Sequence, residues 1–287
     1  MEPIRHPIQS LLPESGKLVT LSVDQVRANP GHVVKTYSEL ISKLAHLAFA
    51  NPELVLLLRG QRKEYLEKNK STIFPTMYRH PGHGNKMYAD ELTQRYTKLQ
   101  DMEKRLCRLF EFDSTYRNRV GRSELARWAI LQHYEICPTP LLDVTHSALV
   151  ASSFAFLPSA SAAQVKPSEN YYIYVLGLPQ ISGSVTVTSA QAIQIVRLSS
   201  VCPPETLRPY YQEGYLMGTY PSVDTLDEKL RYDRDEMDCA RRLVAKFCIS
   251  TNPNFWDQGF QNLPISAVYP NETNALIAKI KALKPKA

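Results

Sequence analysis

Arg59-Gly60-Gln61 follows directly on the apolar run at residues 54–58. A run that short, bounded by Asn51-Pro52 on one side and glycine on the other, predicts a buried strand with the polar triplet at its end. A guanidinium in such a place needs its five donors paired with a carboxylate or a phosphate. Two partners fit: an internal ion pair with Asp143, or a ligand phosphate or carboxylate gripped bidentately. A second polar group runs from Gln132, His133 and Tyr134, through a proline-containing turn, to Asp143 and Thr145. His133 offers a ring donor or acceptor and Tyr134 an aromatic face, while a lone histidine is equally a satisfied structural residue. Asp143 can orient His133 or a ligand, or act only as a helix cap. Asp143 and Thr145 are placed to supply oxygens to the first N–H groups of a helix over residues 146–156, whose N-terminus is a ready anion site. Gln212 and Glu213 add an amide and a carboxylate of the kind a nucleotide or sugar needs.

The elements that position these groups are read from periodicity. Apolar residues at helical spacing predict helices over residues 34–48, 89–112 and 123–133, the last with Ser123 as N-cap and Trp128 on its buried side. β-branched and aromatic content predicts strands at residues 171–176, 192–198, 210–220 and 245–249. Residues 71–79 read as extended with a turn, because Pro75 excludes Phe74 from the helical region. A Gly/His-rich loop follows at 80–86, and helices are expected near 226–240 and from about 271. Together these predict an α+β protein: a single mixed α/β domain with a small mixed sheet flanked by helices. Residues 1–32 read as an N-terminal extension and 33–287 as the domain.

Of 287 residues, 44% are hydrophobic, enough for a substantial core. No stretch reaches the roughly 18 apolar residues of a membrane span, and the start lacks an apolar signal region, so the expected compartment is the cytoplasm with no membrane partner. The five cysteines are scattered and never form C-x-x-C, which argues against a disulfide framework and a zinc site. No H-E-x-x-H motif or carboxylate cluster points to a metal. A net charge of +6 is compatible with a nucleic-acid partner, and Tyr96 and Tyr116 near Arg117 and Arg119 could stack bases. Oligomeric state is not legible.

Arg59-Gly60-Gln61 after a strand, Gln132-His133-Tyr134 before a Pro-Thr turn, and Leu141-Leu142-Asp143-x-Thr145 together resemble the FRG domain family in order and spacing. Phe74-Pro75-Thr76 with Tyr78-Arg79, Gln212-Glu213-Gly214 and the segment ending at Tyr269-Pro270 are similar to further family elements. The sequence departs from the pattern at Leu58, where an aromatic is usual, at Val144 in place of tryptophan, and at Pro140 in place of arginine. That last change removes a cation from the expected cleft. The order of elements is also similar to that of ADP-ribosyltransferases, which implies an NAD-dependent ADP-ribosyltransferase or NAD glycohydrolase acting as a toxin or in anti-phage defence. That similarity implies NAD as substrate, with Arg59, Gly60, Gln61, Gln132, Tyr134 and Thr145 binding it. Arg59, His133, Asp143, Gln212 and Glu213 would then carry catalysis, with a protein or nucleic-acid acceptor. The alternative is a non-catalytic module binding a nucleotide or nucleic acid.

Overall fold

The computed structural model describes residues 1–79, 89–111, 116–157, 170–220, 234–250, 254–270 and 274–284. The chain opens with an antiparallel hairpin, β1 (Ile8–Leu11) and β2 (Leu18–Leu21), then α1 (Val23–Ala28) and β3 (His32–Val34). After α2 (Tyr37–Ala50) come β4 (Val55–Gln61) and the short pair β5 (Leu66–Glu67) and β6 (Lys70–Ser71). The helical section is α3 (Ala89–Leu109), α4 (Arg117–Arg122) and α5 (Glu124–His133). β7 (Leu142–Thr145), α6 (Ala148–Phe156), β8 (Asn170–Leu178), β9 (Val185–Thr188) and β10 (Ile193–Arg197) follow. The last third holds the one-turn helices α7 (Leu198–Val201) and α8 (Arg208–Tyr211), then β11 (Gly214–Thr219) and β12 (Leu243–Ser250). It ends with α9 (Ile265–Val268) and α10 (Ala275–Lys281).

The sheet is mixed and flanked by helices, as expected from the sequence, but it is large and not small: among the described residues it has eight strands in the order β3-β12-β8-β4-β7-β11-β10-β9. Among the described strands of this sheet only β3 and β12 pair in parallel; the other neighbours are antiparallel. Side chains alternate across a strand, and β11 uses both faces. Tyr215 and Met217 join a core built on β4, β8, β12 and α6, whereas Leu216 joins a second core built on α3, α5 and α7. The first 32 residues contribute to the former, with Ile4, Ile8, Leu11, Val23 and Val26 all buried in it. Among the described residues, no helix is long and apolar enough to cross a membrane.

Several elements differ from the sequence expectation. Val34 closes β3 instead of opening a helix, because it pairs with Ile249 while Thr36 caps α2 two residues later. The strand expected at 210–220 is two elements: Pro209 sits in the first turn of α8, and the strand begins only at Gly214. The charged helix expected near 226–240 falls partly outside the described residues. Its described end is two 3-10 turns, Arg234–Met237 and Cys239–Arg242, separated by Asp238. The Asp238 carboxylate receives the Ile73 and Ala240 N–H groups and so interrupts the helix. The Gly/His-rich loop at 80–86 lies outside the described residues. The last helix starts at Ala275 under an Asn274 cap.

Candidate functional site

β4 is held by β8 along its whole length, from Val55↔Leu178 to Gln61↔Tyr172, but it meets β7 at the single pair Leu58↔Thr145. Beyond that pair the two strands part, and Arg59 stands at the parting. Its Nη1 reaches across to donate to the Asp143 carbonyl at 2.6 Å, taking the place of a strand hydrogen bond, while its Nε donates to Gln61 Oε1 at 2.9 Å. Two sides of the guanidinium are thereby fixed, and among the described residues Nη2 has no hydrogen-bond partner. No ion pair forms between Arg59 and the Asp143 carboxylate. The internal salt bridge considered from the sequence is replaced by a bond to backbone, and both charges remain available. Burial lowers the pKa of Arg59, and the neighbouring Asp143 charge opposes that shift.

Gly60 has a steric reason. A Cβ there would lie 1.8 Å from the Ala151 carbonyl oxygen, so only glycine lets β4 pack this closely on α6. Arg79, in the turn that resembles the family's proline-containing stretch, donates from Nε to Phe74 O at 2.8 Å. Its pKa falls to about 10 through burial and then the Arg59 charge.

The opposite wall is built by the end of α5 and by β7. α5 ends in a left-handed turn: Glu135 has φ +56, its N–H donates to Gln132 O at 3.0 Å, and the Ile136 N–H donates to Leu131 O at 2.9 Å. Gln132 Nε2 donates to Asp143 Oδ2 at 2.9 Å, and Gln132 Oε1 accepts from the Thr139 hydroxyl at 3.1 Å. This chain orients the Asp143 carboxylate. Asp143 lies within β7 and caps no helix; the cap of α6 is Ser147. The Thr145 hydroxyl donates to Gln212 O at 2.8 Å and accepts from Ser147 N–H at 3.0 Å, tying β7 to the start of α6 and to the α8–β11 turn.

Arg59, Gly60, Gln132, Asp143, Thr145 and Gln212 line one cavity of about 230 Å³. Four other residues singled out from sequence do not line it. Gln61 acts on it only through Arg59. His133 is buried with neither ring nitrogen hydrogen-bonded, and burial and then Arg208 hold its pKa well below the usual imidazole value. Tyr134 is buried against His133, ring to ring at 5.1 Å. Glu213 occupies a left-handed turn at φ +43, and its carbonyl accepts from Thr145 at 3.2 Å.

Glu135, Phe154, Arg208 and Tyr215, none of them singled out from sequence, complete the cavity wall together with Tyr269, which lies in the segment that resembles a further family element. The Arg208 guanidinium lies 4.5 Å from the Tyr269 ring centroid and 3.3 Å from the Glu135 carboxylate. Arg208 thus supplies from α8 a second cation in a cleft whose family pattern, with Pro140 in place of arginine, leads one to expect a cation missing. Tyr96 and Tyr116, read from sequence as base-stacking candidates, are buried in the helical core. Among the described residues, no group of three or more His, Cys, Asp or Glu side chains is gathered to hold a metal ion.

Residues 56–164 match the family model of the FRG domain. No curated protein and no solved structure matches the chain. The matched span holds β4, α5, β7 and α6, which supply Arg59, Gly60, Gln132, Asp143 and Thr145, while Arg208, Gln212 and Tyr269 come from beyond it. By this match, and by the order of the motifs that meet at the cleft, residues 56–164 of the chain are similar to the FRG domain.

Proposed function

We propose that the cleft holds a nucleotide by its phosphate and, with NAD as substrate, breaks the bond between nicotinamide and ribose. The observation that carries this reading is Nη2 of Arg59, without a hydrogen-bond partner among the described residues, in a cavity where Nε and Nη1 are each already anchored by one bond. A fork held rigidly on two sides is preorganised for an anion and loses little entropy on binding one. The Asp143 carboxylate, steadied by Gln132, provides negative charge where a ribosyl cation would develop. The C1′–N electron pair leaves with neutral nicotinamide, water or an acceptor forms the new bond at C1′, and the acceptor's proton passes to solvent. At about 230 Å³ the enclosed space is smaller than a usual pocket of roughly 300–1,000 Å³. It suits a ribose with one flanking group, the rest of the dinucleotide extending over the mouth.

The second reading, a nucleotide-binding module without chemistry, is favoured by one fact: the Glu213 carboxylate does not line the cavity. Incubation with NAD separates the two. Catalysis predicts nicotinamide release that Arg59→Ala lowers by about 100-fold or more in kcat/KM, as loss of a preorganised donor does. Saturable NAD binding without release assigns the module, and neither binding nor release overturns both readings.

A further inference from the structure

We infer that the Arg208–Tyr269 pair is the base-recognition element of the cleft and that it takes a neutral purine, such as the adenine of an adenine nucleotide. The inference rests on the cleft being a nucleotide site. Arg208 and Tyr269 line the same cavity as Arg59. Tyr269 as a residue is 38% exposed although its ring is fixed on several sides. Phe154 meets it edge-on at 5.9 Å and 87°, the Arg208 guanidinium lies 4.5 Å from its centroid, and Gln212 Nε2 holds the preceding Val268 carbonyl at 2.9 Å. An aromatic ring immobilised in this way and left partly open is a stacking surface that has already lost its rotamer freedom.

Charge decides which ring fits. The Arg208 guanidinium attracts an electron-rich neutral π-system and repels a cationic pyridinium. Glu135 pairs with Arg208 at 3.3 Å, which offsets its appetite for a second phosphate, while its guanidinium lies against the Tyr269 ring at 4.5 Å and lends that stack positive charge. Glu135 reaches this position from the left-handed turn that ends α5. The phosphate then belongs to Arg59 and the base to the Arg208–Tyr269 stack.

Calorimetric titration with ADP and with inorganic pyrophosphate tests this. Wild type binds ADP about 10- to 100-fold more tightly than pyrophosphate, the margin expected of one stacked base. Tyr269→Ala erases that margin while pyrophosphate still binds, Tyr269→Phe restores it, and Arg59→Ala weakens both ligands. If Tyr269→Ala keeps the wild-type preference for ADP while Arg59→Ala loses affinity, the base assignment is wrong and the phosphate site stands. If wild type binds neither ligand, the nucleotide reading itself falls.

Discussion

Replacing Gly60 by alanine tests how tightly the cleft's two walls are tied together. The added Cβ would sit 1.8 Å from Ala151 O and 2.9 Å from both Ala151 C and Ala155 N, all of them backbone atoms of α6 that no rotamer change can move. Restoring ordinary contact near 3.4 Å requires β4 and α6 to separate by about 1.5 Å. β4 cannot yield alone, because seven consecutive pairs lock it to β8. The cost falls at or above the top of the usual overpacking range, about 3 kcal/mol or more. Urea unfolding read by circular dichroism measures it. Gly121→Ala is the internal control: that glycine lies in α4 with open space around its Cβ position, and alanine there stabilises by up to about 1 kcal/mol. Because α6 carries Ala151 and Phe154 of the cavity wall, Gly60→Ala also weakens ligand binding under conditions where the variant is folded. A Gly60→Ala protein within about 0.5 kcal/mol of wild type, the spread of ordinary surface substitutions, would refute the packing argument.

Three further outcomes are expected. Thr145→Val leaves the Gln212 carbonyl and the Ser147 N–H without their hydroxyl partner and costs about 1–3 kcal/mol in chemical denaturation; Thr145→Ser recovers most of it, and equal loss in both would show that the methyl group matters instead. His133 is buried and neutral, with a folded pKa well below 6.5, so below pH about 6.5 the unfolded chain binds a proton that the native state refuses. Its contribution to stability is therefore present above that pH and lost as pH falls, at up to about 1.4 kcal/mol per unit. His133→Leu should flatten the stability–pH curve between about pH 5 and 7, whereas curves parallel to wild type would contradict the assignment. Glu135→Gly relieves a left-handed residue and should raise stability by about 1 kcal/mol, and tighten ADP binding through its phosphates by freeing Arg208 from its carboxylate. Unchanged ADP affinity in that variant would remove Glu135 from the site.

The inner half of the cleft was legible because its residues are tied to strong local signals. Arg59 ends an unmistakable apolar strand, and Gln132 closes a helix whose Ser123 cap and buried Trp128 are readable from spacing. The outer half was legible only at Tyr269, and there only through the family resemblance of its segment. Arg208 and Tyr269 stand on or beside one-turn helices, which leave no periodic trace, and they are more than 140 residues from Arg59 in sequence. His133 and Tyr134 were read as facing the cleft from their place before the turn. A helix end fixes the position of a residue but not its direction, and the packing of α5 turns both rings inward. Arg59 and Asp143 line the same cavity, but the bond of the guanidinium to the backbone carbonyl and not to the carboxylate depends on how β4 and β7 diverge after one pair, which no local pattern encodes.

The account turns on Arg59 gripping a phosphate through a fork that its neighbours hold in place. NAD affinity of wild type and of Arg59→Lys, measured side by side by calorimetry, tests this most directly. The lysine keeps the charge but not the planar fork, so the account predicts binding weaker by about 10- to 100-fold in a variant that still unfolds cooperatively. Equal affinity in the two proteins would contradict it.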